Sequence, residues 1–421
     1  MNILRFSCQS LSILAAISYC YLGYVDFIGP FSLGVISIFF LTIIFISLQF
    51  TQLKMPMPSI FLLLTIISLI FIWLDLIING VFRINAIQQF LTPPAIFLCS
   101  LGIIYYLNFT KFYLLTFISL ILFSSFIALL QGLDFDIAWD IRYAFPASTD
   151  IMVENQLRLK EKPSGLSFYA VQFGYQIVFA GCLLMIFNTI YRSSKTEKFV
   201  KYAFIFLLAS AAIGRNLSPL LSLMVMSFFY FYTQGSYRLK LNHVLIGIVL
   251  IFGLIASPIW ERIVTLDASM LSRITFLVVG IYLLISNPFG VSIEDTYQAK
   301  LDVVNQLFGT GNFPLLEYVL ETSFHNSFIN IGVQLGWLGF SLYVYLYFRM
   351  LRNYYLYIKS LDIMVSRLGS VGFAFLMGYG VQCISHNSGP LTMDPYFWIA
   401  NGFLLSLILI LNNKAHQNDT I

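Results

Sequence analysis

Charge is scarce in this chain. Only 10% of its 421 residues are Asp, Glu, Lys or Arg, against roughly a quarter in an ordinary soluble domain. So few charges cannot coat a globular surface, which excludes a water-soluble fold. Cysteine is also sparse. The five cysteines, Cys8, Cys20, Cys99, Cys182 and Cys383, are odd in number, irregularly spaced and free of any CxxC pairing. That excludes a disulfide framework and a cysteine metal site. No two of the four histidines have metal-ligand spacing, so metal-free chemistry is expected. No glycine-rich loop suits a nucleotide phosphate, so neither ATP nor another cofactor is implied. No stretch is basic enough for nucleic acid. No A-x-A-like cleavage site follows the amino terminus, so Met1 to Cys20 reads as an uncleaved first span.

Hydrophobic residues are abundant, at 59% with a mean hydropathy of +0.85. The fold class is therefore all-α, a polytopic integral membrane protein. Apolar runs predict about twelve transmembrane helices, near 8–25, 31–50, 59–78, 86–107, 112–131, 167–190, 199–214, 217–233, 243–258, 326–348, 368–385 and 395–412. Pro93-Pro94 predicts a kink in the fourth. Residues 1–421 read as one transmembrane domain with two larger loops, 132–166 and 259–325. The second loop contains an apolar run, Ile274 to Ile285, of only twelve residues. That is too short to cross a hydrocarbon core about 30 Å thick.

Charge placement gives an independent test of that reading. If the amino terminus is inside and the run does not cross, fourteen of the 23 basic residues fall on the inner face, with only Glu197, Asp362 and Asp419 of the 19 acidic ones. If the run crossed, the basic cluster from Arg349 to Arg367 would move outside. The positive-inside rule therefore makes the run a re-entrant or interfacial helix and puts both large loops outside. The polar equipment then faces outward, toward a substrate that arrives without nucleotide.

Three arginines on that side need an explanation. Arg215 in "AAIGRNLSPLL" sits at a hairpin tip, and Arg273 in "SMLSRITFLVVG" opens the interfacial run. Arg158 lies in "ENQLRLKEKPSGLSFYAVQFG", with Lys160 and Lys162 close by. Such cations can simply snorkel to headgroups. A membrane-edge arginine is also suited to bidentate capture of phosphate. His325, in "ETSFHNSFINIGVQLGWLGF", is the best candidate base, because an imidazole is largely neutral at neutral pH and can take a hydroxyl proton. On a continuous helix Glu321 would share its face and orient it. Alternatively, His325-Asn326 only caps the following span. His386 repeats the H-N-S pattern in "ISHNSGPLTMDPYFW", where Gly389-Pro390 reads mainly as turn chemistry.

The order of these features resembles the O-antigen polymerase and ligase superfamily. It consists of a hairpin-tip arginine, an "SR" before an outer helix ending in "NPFG", and "HNSFINIGVQLGWLGF" closing the largest loop. The resemblance spans about residues 155–345 and implies a GT-C-like, metal-independent glycosyltransferase of the bacterial inner membrane, active at the periplasmic face. It implies a polyprenyl-diphosphate-linked oligosaccharide as donor, a lipid-linked acceptor, membrane lipids and a chain-length regulator as partners. Arg215, Arg273 and His325 would be the catalytic residues. Arg158, Lys162, Glu321, Asn326 and His386 would bind substrate. The hairpin reads "GRN" where "SR" plus a small residue is more usual. A Wzy-type polymerase is favoured over a WaaL-type ligase, which would transfer polymer to lipid A core. The reading from another class is a lipid-linked oligosaccharide flippase. Transporters, however, tend to carry paired repeats and midplane charges, whereas the charges here gather at the outer edge.

Overall fold

Runs of apolar residues without a polar face leave only one economical way to satisfy the backbone in lipid, the helix. The computed structural model describes residues 2–22, 26–28, 31–51, 57–107, 110–146, 157–160, 162–213, 217–234, 268–309, 316–387, 389–391 and 394–418. The order begins with α1 (Asn2–Ile17), a π-helical turn (Ser18–Leu22) and a small antiparallel pair, β1 (Asp26–Ile28) and β2 (Phe31–Ser32). Then come α2 (Leu33–Thr51), α3 (Ser59–Asn79), α4 (Ile84–Tyr105), α5 (Thr110–Gly132) and α6 (Asp136–Tyr143). They are followed by α7 (Ala170–Ile190), α8 (Ser194–Ile213), α9 (Leu217–Thr233), α10 (Ala268–Ser286), α11 (Ile293–Phe308) and α12 (Leu316–Glu321). The order closes with α13 (Ser327–Ile358), α14 (Ile363–Ser385) and α15 (Pro395–Asn418).

Seven of the described helices, α3, α4, α5, α7, α13, α14 and the first part of α15, are long and apolar enough to cross a membrane. They point to a multi-pass membrane protein. The count of twelve is another matter. The expected spans near 31–50 and 217–233 correspond to apolar helices of at most seventeen described residues. The expected span near 8–25 changes to a π-turn at Ser18. The run 243–258 lies outside the described residues. Pro93 and Pro94 sit inside α4, which continues through both of them.

The core forms where α14 and α15 pack against α4, α7, α9 and α13. Small residues set how closely these helices approach, as lipid offers no hydrophobic drive for helix association. A Cβ on Gly378 would come within 2.6 Å of the Ser222 carbonyl oxygen, and one on Gly402 within 2.5 Å of Ser100 Cβ. By contrast, α3 keeps Leu62, Trp73 and Ile77 exposed, the surface expected of a lipid-facing helix. The π-turn that follows α1 has a use. It presents carbonyls to α7 and α15: Gln172 Nε2 donates to Tyr19 O at 3.1 Å, Gln176 Nε2 to Cys20 O at 2.9 Å and Tyr396 OH to Tyr19 O at 2.6 Å. Such turns free carbonyls that regular i→i−4 bonding would consume.

Hydrogen bonds also define the two ends of the bundle. At one end, Asn79 Oδ1 accepts from Ile293 N, Gln89 Nε2 donates to Leu391 O, and Asn387 Nδ2 donates to Ser323 Oγ. At the other, Arg5 donates to Leu107 O, the Lys111 ammonium lies over the Tyr191 ring, and Ser366 Oγ donates to Ile358 O. We refer to these as the loop end and the basic end.

Candidate active site at the loop end

At the loop end, α10, α11, α12 and the start of α13 close a small core of their own. It comprises Phe276, Val279, Leu283, Val291, Val303, Val304, Val319, Phe324, Ile329 and Val333. Two glycines allow it. Gly336 has φ 69°, ψ −169° and breaks α13. A Cβ there would be strained by the positive φ and would collide with the Pro288 carbonyl oxygen. Gly290, with φ 91°, lies opposite, where a Cβ would come within 2.7 Å of Gln334 O. Val291 N donates to Val333 O at 2.8 Å and Trp337 N to Pro288 O at 2.9 Å, stitching the "NPFG" turn to the break.

The break folds α13 back on itself. Ser327 and Tyr343 are sixteen residues apart, yet Tyr343 OH donates to Ser327 Oγ at 3.3 Å. Phe328 packs against the rings of Tyr343 and Tyr347 at 5.1 and 5.5 Å. A straight helix would separate positions 327 and 343 by about 24 Å. The span expected over 326–348 is therefore not one straight rod. Its first nine residues form a short segment under α10, and the passage toward the basic end starts after Gly336. α10 is also longer than the twelve-residue apolar run, at nineteen residues. Phe276 near its middle meets Phe324 and His325, while the Leu284 carbonyl near its end accepts from Trp337 Nε1 at 2.6 Å.

The turn before α13 carries the expected base. The His325 imidazole meets the Phe276 ring edge-on, with centroids 5.0 Å apart at 90°. The helix cap next to it belongs to Asn326, whose Oδ1 accepts from Phe328 N and Ile329 N, each at 3.1 Å. Of the two residues expected at this span end, the cap is made by Asn326. His325 is not the cap, and the Asn326 side-chain oxygen is committed to the backbone rather than turned to a substrate.

Glu321 requires a correction. It is exposed, and α12 stops at it, so Glu321 and His325 do not share a helix face. The physical cause is Lys300. Its Nζ donates to Leu320 O at 3.2 Å and Thr322 O at 2.6 Å, and lies 4.9 Å from the Phe324 ring centroid. An ammonium on the last carbonyls of a helix satisfies groups that would otherwise pull the chain into another turn. Burial lowers the Lys300 amine to about 8.

The second H-N-S stretch lies beside the first. Asn387 Nδ2 donates to Ser323 Oγ, and a Cβ on Gly389 would come within 2.6 Å of Ser327 Oγ. His386 is buried at the end of α14, its N–H donating to Gln382 O at 2.9 Å and its ring 6.1 Å from that of Tyr175. Tyr175 in turn packs on Tyr379, whose hydroxyl donates to Asp394. Asp394 lies in the turn before α15 and accepts from Tyr396 N at 3.2 Å. Its carboxyl is 5% exposed, and burial raises it to about 7, against the opposing pull of these hydrogen bonds.

The remaining expected residues fall differently. Arg273 is in α10, one turn before Phe276. Arg215 lies outside the described residues. Arg158 is exposed in the other loop, near Lys162, while Lys160 between them pairs with Asp136. That loop is anchored by an arginine the sequence reading passed over. The buried Arg142 donates to Ser164 Oγ at 3.3 Å, Phe145 O at 2.9 Å and Phe168 O at 3.2 Å. Burial lowers it to about 10, so it stays charged at neutral pH. The structure thus brings together His325, Asn326, the backbone of Arg273 and residues 386–387 and 389–391, and leaves Arg158 and Lys162 without a described contact to them.

No protein-family model matches this chain, and neither does any curated protein.

Among the described residues no three His, Cys, Asp or Glu side chains group as metal ligands. A cleft of about 530 Å³, lined by Leu74, Ile78, Phe289 and Asp295 among others, adjoins the far end of α10. It lies some three helical turns from Phe276, so it is not the histidine site. The sequence offered one overlooked signal, Asp394 in "TMDPYFW", an acid directly before a helix-opening proline. It offered none for Lys300, whose partners lie 20 and 22 residues away.

Proposed function

We propose that this protein is a bacterial surface-polysaccharide (O-antigen) polymerase. It would cross the inner membrane about twelve times, with the loop end in the periplasm. It would transfer a growing glycan from a polyprenyl-diphosphate donor to a lipid-linked repeat unit. The acceptor hydroxyl oxygen attacks the anomeric carbon, the bond to the diphosphate oxygen breaks, and the diphosphate leaves with the electron pair. The hydroxyl proton passes to His325. Diphosphate is a good leaving group, so the demands on the protein are a base and cations for developing negative charge. Arg273 and Arg215 would meet the second demand, with no metal. Asp394 is too deeply buried to serve as the base and would instead shape the floor under His386.

The observation that carries this reading is the division of labour at 325–326. Asn326 closes the helix, so the imidazole beside it is not required there, and it stands against α10 one turn from Arg273. The test is the surface polysaccharide of a deletion strain. Core capped with a single repeat supports the polymerase. Accumulation of free lipid-linked polymer would instead indicate the ligase, and loss of outward-facing lipid-linked units a flippase.

A further inference from the structure

A second pocket lies at the basic end, far from the histidine. It encloses about 320 Å³ between the last turn of α7, the start of α8, the end of α9 and the first turn of α14. Its wall includes Asn188, Arg192, Glu197, Phe231, Gln234 and Arg367. Arg192 Nε donates to Glu197 Oε1 at 2.9 Å, which leaves its two terminal nitrogens for another anion. Arg367 is half-buried and in no ion pair among the described residues. Among the described lining residues, two guanidinium groups against one carboxylate leave a net positive charge.

Two further wall groups are unsatisfied. Among the described residues, Asn188 Oδ1, an acceptor, and Gln234 Nε2, a donor, are both buried without a hydrogen-bond partner. Buried polar atoms are nearly always paired, and each exception calls for an explanation. One flank of the pocket is apolar and open. Phe228, Phe231 and Tyr232 are exposed along α9, with Phe228 and Tyr232 stacked at 6.2 Å. A soluble anion has no use for that flank, but an acyl chain does.

We propose that this pocket binds the headgroup of an anionic phospholipid whose phosphodiester carries a hydroxylated substituent, as in phosphatidylglycerol. The phosphate oxygens lie on Arg367 and the terminal nitrogens of Arg192, in the planar, forked geometry arginine offers. The headgroup hydroxyls engage the Asn188 and Gln234 amides by small side-chain rotations, and the acyl chains run along Phe228, Phe231 and Tyr232. Basic pockets between helices on a charged membrane face are suited to anionic headgroups. This site does not depend on the transferase reading.

The test uses delipidated full-length protein in detergent. It is titrated with dihexanoyl-phosphatidylglycerol, dihexanoyl-phosphatidylethanolamine or inorganic phosphate, with thermal unfolding and native mass spectrometry as readouts. Phosphatidylglycerol is expected to raise the unfolding temperature saturably and to give a discrete adduct. Binding should weaken at least tenfold in Arg192→Gln/Arg367→Gln and in the milder Arg367→Gln alone. Arg352→Gln, a charge change at the same end outside the pocket, should bind as wild type does. No saturable shift in wild type, equal binding by the Arg367→Gln protein, or an equal response to phosphatidylethanolamine or phosphate overturns the proposal.

Discussion

The Phe276 ring and the His325 imidazole stand perpendicular with centroids 5.0 Å apart, joining the middle of α10 to the turn that opens α13. Asn326 next door supplies the cap, so the two neighbours can be told apart by mutation. Asn326→Ala should cost about 1 kcal/mol of stability, the usual loss for a helix cap, and be partly rescued by Asp or Ser. His325→Asn and His325→Ala should leave thermal unfolding near wild type. Both should cut polymer formation about 10²–10⁴-fold, the usual contribution of a general base. Purified protein with synthetic lipid-linked repeat units gives the rate. Full activity in His325→Asn would remove the histidine from the chemistry.

Arg273 offers a test of charge against geometry. Lysine keeps the charge but loses the fork that holds phosphate in two bonds. Arg273→Lys should insert and fold yet make markedly less polymer, and Arg273→Ala less again. Normal polymer in both, at normal expression, would move the diphosphate site elsewhere.

Gly336 should tolerate nothing larger. Its φ of 69° and its contact with Pro288 O predict that Gly336→Ala costs about 1–3 kcal/mol in backbone strain alone. The melting temperature in detergent should fall. Gly309 also has a positive φ, but a Cβ there meets no atom of the described residues within 4 Å, so Gly309→Ala should be milder. Equal losses at both would show that the Pro288 contact contributes nothing.

Asp394 makes stability depend on pH in a defined direction. Its carboxyl is raised from 3.8 to about 7 in the folded state, so folding favours the protonated form. The contribution is fully present below the unfolded value and is lost as pH rises from about 4 through about 7. Asp394→Asn should flatten that part of a melting-temperature profile. An unchanged slope in the variant would assign the dependence to other groups.

Topology can be tested with single cysteines, because all five native ones are buried and free and a cysteine-less background is accessible. Tyr297 on α11 is half exposed, and Asn353 lies toward the basic end of α13. An impermeant thiol reagent on intact spheroplasts should label Tyr297→Cys and spare Asn353→Cys. The reverse pattern would invert the proposed orientation.

The class of fold was legible without coordinates. A 10% charge content and apolar runs near twenty residues leave helices in lipid as the only way to pair every backbone group. The same reasoning drew attention to His325 and to the "NPFG" and "GWLG" segments, because polar and glycine residues stand out against an apolar background. What it could not reach were pairings across distance. Helices apolar on every side carry no periodic mark of which face packs, so the fold-back of α13 onto Tyr343 left only a glycine as its trace. The end of α12 was hidden for a similar reason: Glu321 and His325 have good helical spacing, and Lys300 overrides it from another helix. Tyr379 and Asp394 likewise meet only because α14 and α15 pack side by side. Local spacing encodes local structure. Which buried charge meets which carbonyl is decided by the tertiary fold, where desolvation makes each such contact either satisfied or costly.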